Sequence, residues 1–124
     1  MTEGKKYVTW GVRVLIINPK NEVLLGRRSD HREQFYAAPG GHLEFGESFE
    51  QCAIRELYEE LNIKIEEKEI KYLTTLNVVK KKENFHYLNI ITSFFIDDIR
   101  SSKIENYDTE HCLGWEWIPW ADFI

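Results

Sequence analysis

The chain has 124 residues, 43% of them apolar and 14% aromatic, and a formal net charge of −5. That length supports one core, so residues 1–124 are expected to form a single domain, and the composition excludes a disordered chain. No apolar run approaches the ~18 residues that span a bilayer, and the acidic balance disfavours a broad electrostatic grip on nucleic acid.

Met1 to Tyr7 is polar and lacks the apolar stretch of a signal peptide, so a cytoplasmic protein without a membrane partner is expected. Val8 to Ile17 is rich in β-branched residues and predicts a strand. Asn18-Pro19-Lys20-Asn21 has the residue types of a turn, and Glu22 to Arg27 predicts the returning strand of a hairpin. Ser29 to Gln34 reads as a polar loop, and Phe35 to Ala38 as a short apolar run interrupted by Pro39-Gly40-Gly41.

Ser48 to Leu61 is the clearest helix. Ser48 and Gln51 form a capping-box pattern, and Phe49, Ala53, Leu57 and Leu61 recur every four residues as a buried stripe. Asn62 stands at the stop. Tyr72 to Lys80 and Tyr87 to Ile96 predict two long strands around the polar turn Lys81 to Asn84. Trp115 to Ile118 predicts a short final strand, and Pro119 suits entry to a further helix. One strong helix among several strands suggests an α/β domain with a mixed sheet.

The two cysteines, Cys52 and Cys112, do not form a paired metal spacing, which disfavours zinc. Cys52 is read as helix packing, because no activating base is evident beside it. The four tryptophans are assigned to the core by default.

The densest chemical signal is Arg55, Glu56, Leu57, Tyr58, Glu59 and Glu60. Spacings of three and four place Glu56, Glu59 and Glu60 on one side of a helix, where like charges repel by a few tenths of a kcal/mol, roughly. A hard cation such as Mg²⁺ or Mn²⁺ removes that cost. An isolated run of this kind is more often a solvated acidic face. Here, however, glycines lie just upstream, where backbone can approach a metal or phosphate closely. Five residues separate Gly41 from Glu47, and seven separate Glu47 from Arg55.

From Gly41 to Ile63 this pattern resembles the Nudix hydrolase signature, G-x5-E-x7-R-E-U-x-E-E-x-G-U, where U is a bulky aliphatic. Every specified position matches except Asn62, which replaces a glycine. A chance match is on the order of one in 10⁵. Asn is the residue that next best tolerates a left-handed helix end, so intact chemistry is expected. The hairpin before the signature, the strands after it and the Trp-Glu-Trp-Ile-Pro-Trp stretch also resemble small MutT-type members. The segment Pro39 to Glu47 is especially similar to the mammalian MutT-homologue enzymes.

The resemblance implies a layered α/β/α sandwich with a mixed β-sheet, and hydrolysis of a diphosphate bridge by water with Mg²⁺ or Mn²⁺. Cations between acidic protein and acidic substrate reconcile the −5 charge with a nucleotide ligand. It implies Glu56 and Glu60 as metal ligands, Glu59 as a ligand or its orienter, and the Gly40 carbonyl facing a metal. Arg55 is implied to hold Glu47 or Glu59 in place. On the substrate side it implies Arg27, favoured over Arg28, together with Gly41 and His42. His86, Tyr87 and Asn89 lie on a strand that could line a base pocket, with Asn89 reading a base edge. The general base is left between a signature glutamate and the later acids Asp108 and Glu110. Ala37-Ala38 stand where relatives often carry larger residues.

The expected activity is conversion of nucleoside triphosphates, oxidised or modified purines among them, to monophosphate and pyrophosphate. The partner is then a small nucleotide, with no stable nucleic-acid binding and a homodimer as the oligomer suggested by relatives. Hydrolysis of an mRNA cap, a nucleotide sugar or a dinucleoside polyphosphate stays open, as does a non-catalytic nucleotide-sensing domain.

Overall fold

The computed structural model describes residues 7–29 and 34–123. Most of the expected Ser29 to Gln34 loop, and the polar start of the chain, lie outside the described residues.

The first hairpin forms as its turn residues require. Strand β1 (Thr9–Ile17) leads to Asn18, whose Oδ1 accepts from the backbone N–H groups of Lys20 and Glu22, and Asn21 adopts a left-handed φ of 59°. Strand β2 (Glu22–Ser29) returns antiparallel. It is followed by β3 (Gln34–Ala37) and by β4 (Gly40–His42), a strand that the Pro-Gly-Gly composition argued against. Helix α1 (Phe49–Leu61) comes next, then the long antiparallel pair β5 (Lys71–Lys80) and β6 (Phe85–Phe95). The one-turn helix α2 (Asp98–Ser101) was not foreseen. Strand β7 (Cys112–Pro119) is longer at both ends than expected, because it pairs along β2 from Glu22 to Arg28. The helix entered at Pro119 is the single turn α3 (Trp120–Phe123).

The strands make a seven-stranded sheet in the order β3-β2-β1-β6-β5, with β4 paired to β1 and β7 to β2. β1 and β6 run parallel, from Thr9 beside Tyr87 to Ile17 beside Phe95, and every other strand pairing among the described residues is antiparallel. The sheet is therefore mixed and the domain is α/β, as expected.

Alternation decides what each face does. Val12, Val14 and Ile16 of β1 pack with Leu24, Ile90 and Phe94 against Ala53, Leu57 and Leu61 of α1. Their neighbour Arg13 is left for another task. The capping box at the start of α1 is formed in both directions, with Gln51 N–H donating to Ser48 Oγ (3.1 Å) and Ser48 N–H to Gln51 Oε1 (2.9 Å). At the other end Asn62 adopts φ 58°, ψ 38° and donates to Tyr58 O, so the residue that departs from the signature performs the glycine's task.

Candidate active site

Two glycines bring β4 between β1 and the carboxylates of α1. A Cβ on Gly40 would lie 2.0 Å from the carbonyl oxygen of Val12, and its φ of 147° is one that side chains rarely adopt. A Cβ on Gly41 would lie 2.5 Å from the carboxyl carbon of Glu56. The Gly40-Gly41 backbone can thus lie directly against the acidic side of α1.

Glu60 is the buried end of that side. Its side chain is 8% exposed, and Gly40 N–H donates to its Oε2 at 3.1 Å. Burial pushes its carboxyl up to about 7, against the opposing pull of the Gly40 N–H and of Arg28 and Arg13. Glu56, 13% exposed, is also raised by burial, with the Arg55 hydrogen bond acting against it. Glu59 stands at the rim, 56% exposed.

Arg55 holds these groups in register. Its Nε and Nη2 make a fork to Glu47 (2.6 and 3.0 Å), its Nη1 donates to Glu56 at 2.7 Å, and Nη2 also donates to the carbonyl of His42 at 3.0 Å. The contact to Glu59 is longer, 3.4 Å. The hydrogen bond from Arg55 holds the Glu47 carboxyl below its ordinary value and raises the guanidinium's own pKa further.

These groups face an open cleft of about 370 Å³, lined by Gly40, Gly41, His42, Glu56 and Glu60 among others. Three arginines, Arg13, Arg28 and Arg55, also line it. Arg28, not the expected Arg27, enters the cleft. Its Nη1 is 3.8 Å from Glu60 and its Nη2 3.1 Å from Asp108, while Arg27 is exposed on the other side of β2. The parity was legible: Arg28 lies two and four residues from Gly26 and the core residue Leu24. A register shift between Arg27 and Arg28 against β7 accompanies this placement. Arg13 was missed. Its signal was the alternation of β1, where a cation stands between the core residues Val12 and Val14.

Asp108 reaches the cleft and Glu110 is exposed outside its lining. Both oxygens of Asp108 are engaged, Oδ2 with Arg28 and Oδ1 with His111 Nδ1 at 3.0 Å. Asn89, expected to read a base edge, is not among the residues that line this cleft; it sits on β6, paired with Gly11. Its Oδ1 is buried without a hydrogen-bond partner and rests 2.8 Å from where a Cβ on Gly11 would be. Cys52 is fully buried and burial pushes its thiol up to about 12, which suits packing and not nucleophilic attack.

The donor set fits a hard divalent cation. It is made of carboxylate oxygens, two of them desolvated, pressed against a backbone that only glycine allows. Among the described residues no three acids are drawn into a closed cage; the Arg55 guanidinium stands between Glu47, Glu56 and Glu59.

The NUDIX domain family model matches residues 8–124, and the chain belongs to that family. It is a Nudix hydrolase, an enzyme acting on diphosphate-linked compounds. It is 28% identical to an RNA pyrophosphohydrolase of Roseobacter denitrificans, over 91% of this chain and 78% of that one. A 62-residue stretch, half of this chain, is 34% identical to the NAD-capped RNA hydrolase NudC of Edwardsiella ictaluri, of which it spans 23%. The crystal structure of a MutT NUDIX hydrolase from Burkholderia pseudomallei superposes with a TM-score of 0.78, covering 91% of this chain and 84% of that one at 18% identity.

Proposed function

We propose that the protein hydrolyses the 5′-triphosphate of a nucleotide, with a divalent cation, to the monophosphate and pyrophosphate. The observation that supports this best is the meeting of opposite charges in one cleft: the buried acids Glu56 and Glu60 beside the guanidinium groups of Arg13 and Arg28. Carboxylates suit the cation, and arginines suit phosphate oxygens that no cation covers.

Glu56 and Glu60 would hold Mg²⁺ or Mn²⁺, with Glu59 and the Gly40 carbonyl completing or orienting the set. When bound, such an ion offsets charge on the diphosphate and acidifies the attacking water. The remaining work belongs to the chain. Arg55 fixes the rotamers of Glu47 and Glu56 through its hydrogen bonds. Arg28 and Arg13 orient the phosphates. The water oxygen forms a bond to phosphorus, the bridging P–O bond breaks, and the departing phosphate carries away the electron pair. The water's proton passes to a signature carboxylate. Asp108 is poorly suited to receive it, since its oxygens already accept from Arg28 and His111. Asp108 instead positions Arg28.

The test is a panel of nucleoside triphosphates, a nucleotide sugar and a dinucleoside polyphosphate, with and without Mg²⁺, resolved by ion-exchange chromatography. Monophosphate and pyrophosphate from a triphosphate, only with the metal present, are expected. Nucleotide binding without turnover on any member would instead identify a sensing domain. A second substrate form, the triphosphate at an RNA 5′ end, is favoured by the RNA pyrophosphohydrolase that aligns with 91% of this chain.

A further inference from the structure

An aromatic track leads out of the cleft. His42 lines the cleft, and its ring lies 5.5 Å from that of Tyr87. Tyr87 in turn stacks on Phe85 at 5.2 Å, with the planes 21° apart. Phe85 borders a second hollow of about 340 Å³, which Tyr7, Val79, Lys81 and His86 also line. The track thus runs from the lining of the cleft to the start of β6, beside the β5–β6 turn.

Its surroundings are cationic and open. Lys80 places its Nζ 5.8 Å from the centre of the Phe85 ring, and Lys81 and Lys82 follow, all exposed, with Glu83 the one acid of the turn. Phe85 is 39% and Tyr7 60% exposed. Buried aromatics in this number would be ordinary core. Exposed His42 and Phe85, with the half-buried Tyr87 between them, beside three lysines are a different arrangement, matched to flat π-faces joined by a negative backbone. Net charge obscured it: the chain carries −5 overall, but this hairpin is locally positive.

We propose that this track binds the first nucleotides of a single-stranded RNA whose 5′-triphosphate lies in the cleft. The inference rests on the triphosphate reading and names the substrate class for it. Bases stack along His42, Tyr87 and Phe85, and the backbone runs toward Lys81 and Lys82, accommodating about two nucleotides beyond the triphosphate. A free nucleoside triphosphate occupies only the cleft end. The RNA is supplied by a reaction that begins a strand with a nucleoside triphosphate and leaves its 5′-triphosphate intact.

The test compares a nucleoside triphosphate with 5′-triphosphorylated RNA of two and three nucleotides, using pyrophosphate release for kcat/KM. Wild-type efficiency rises with length. Phe85→Ala lowers it about tenfold for the oligonucleotides and less than about twofold for the mononucleotide. The double variant Lys81→Glu, Lys82→Glu leaves the sheet untouched and repeats the effect, with a shallower dependence on salt. Fluorescence anisotropy of a labelled triphosphorylated trinucleotide, without metal, gives the same ranking by Kd. Equal wild-type efficiency and Kd at all lengths overturns the proposal. So does an equal loss on all substrates in both variants, or an effect confined to self-association in sedimentation. Length-dependent binding with no turnover of any substrate would refute the hydrolytic reading and keep the track.

Discussion

Two parts of the same sheet are built on opposite terms. Where β1, β4 and α1 meet, backbone and side chains are so crowded that a Cβ at position 40 or 41 would collide with a neighbour. Along β5 none of the ten residues is buried, and Leu73 and Leu76 are about half exposed. The crowded part holds charges that water would otherwise scatter, and the open part leaves surface for a ligand. Chemistry needs the first, because a carboxylate is useful only if its position and protonation are set by neighbours. Substrate reading suits the second, because an exposed ring or lysine can change with little cost to the fold.

The largest expected effect falls in the crowded part. Glu60→Gln keeps the shape of the side chain and an acceptor for Gly40 N–H, but removes the charge. Loss of even an outer partner of a metal site costs about 10–100-fold, so kcat/KM should fall more than that with circular dichroism unchanged. Activity near wild type would remove Glu60 from the cation set.

The two glycines separate stability from chemistry. Gly40→Ala sets a methyl against the Val12 carbonyl, which cannot move without β1, and demands a strained φ. A loss of about 3 kcal/mol or more in urea unfolding is expected. Gly41→Ala meets only the end of the Glu56 side chain, which can rotate away. It should cost about 1 kcal/mol yet depress activity, because Glu56 then leaves the cleft. Equal destabilisation by the two would mean that Glu56 is as rigid as backbone.

The pH dependence carries a definite sign. The Glu60 carboxyl titrates at about 7 in the folded metal-free protein, against an ordinary 4.5. Between those values the folded state holds the extra proton, so stability falls as pH rises through that window, and Glu56 acts in the same direction. Glu47 and Glu69, whose carboxyls are lowered chiefly by hydrogen bonds from Arg55 and Arg100, lose stabilisation only as pH falls below 4.5. Melting in chelator should therefore show wild type losing about 3 kcal/mol relative to Glu60→Gln from pH 4.5 to 7.5. Parallel curves for the two proteins would contradict the burial of the Glu60 charge.

What could be read in advance follows the same division. α1 was legible from end to end because capping, stripe and stop are local: Ser48 with Gln51, the four-residue apolar repeat, and Asn62. The signature spacing then selected Glu56, Glu60 and Arg55, which the fold brings together with Glu47. The strand β4 was not legible, since two glycines have no strand preference and its pairing with β1 is set by residues 27 to 31 positions away in the chain. The parallel β1–β6 pair is likewise non-local, and with it the approach of Asn89 to Gly11. The choice of Arg28 over Arg27 needed only the parity set by Leu24. The value of Arg13 needed the cleft itself.

Asp108→Asn is the next smaller test. Asp108 holds Arg28 through a bond of 3.1 Å, and its loop is tied to α1 by Tyr107 N–H donating to the Glu60 carbonyl at 2.9 Å. Losing one charge of that pair should raise KM about tenfold, change kcat less, and leave the acid limb of the kcat profile in place. Arg28→Ala should mask the effect of Asp108→Asn in the double variant. Loss of the acid limb would make Asp108 the general base.

The smallest effect belongs to the open strand. Leu57 of α1 is fully buried and Leu76 of β5 is 49% exposed, so one residue type samples both regions. Leu57→Ala removes side-chain contacts on every side and should cost about 3 kcal/mol. Leu76→Thr places a β-branched residue on the strand and vacates little packed volume, so a change within about 0.5 kcal/mol is expected. Nucleoside triphosphate turnover should not respond, because Leu76 pairs with Asn89 across the sheet and lies outside the cleft lining. A loss comparable to that of Leu57→Ala would mean that something covers β5 in solution. The hairpin's availability to RNA would then have to be judged with that cover in place.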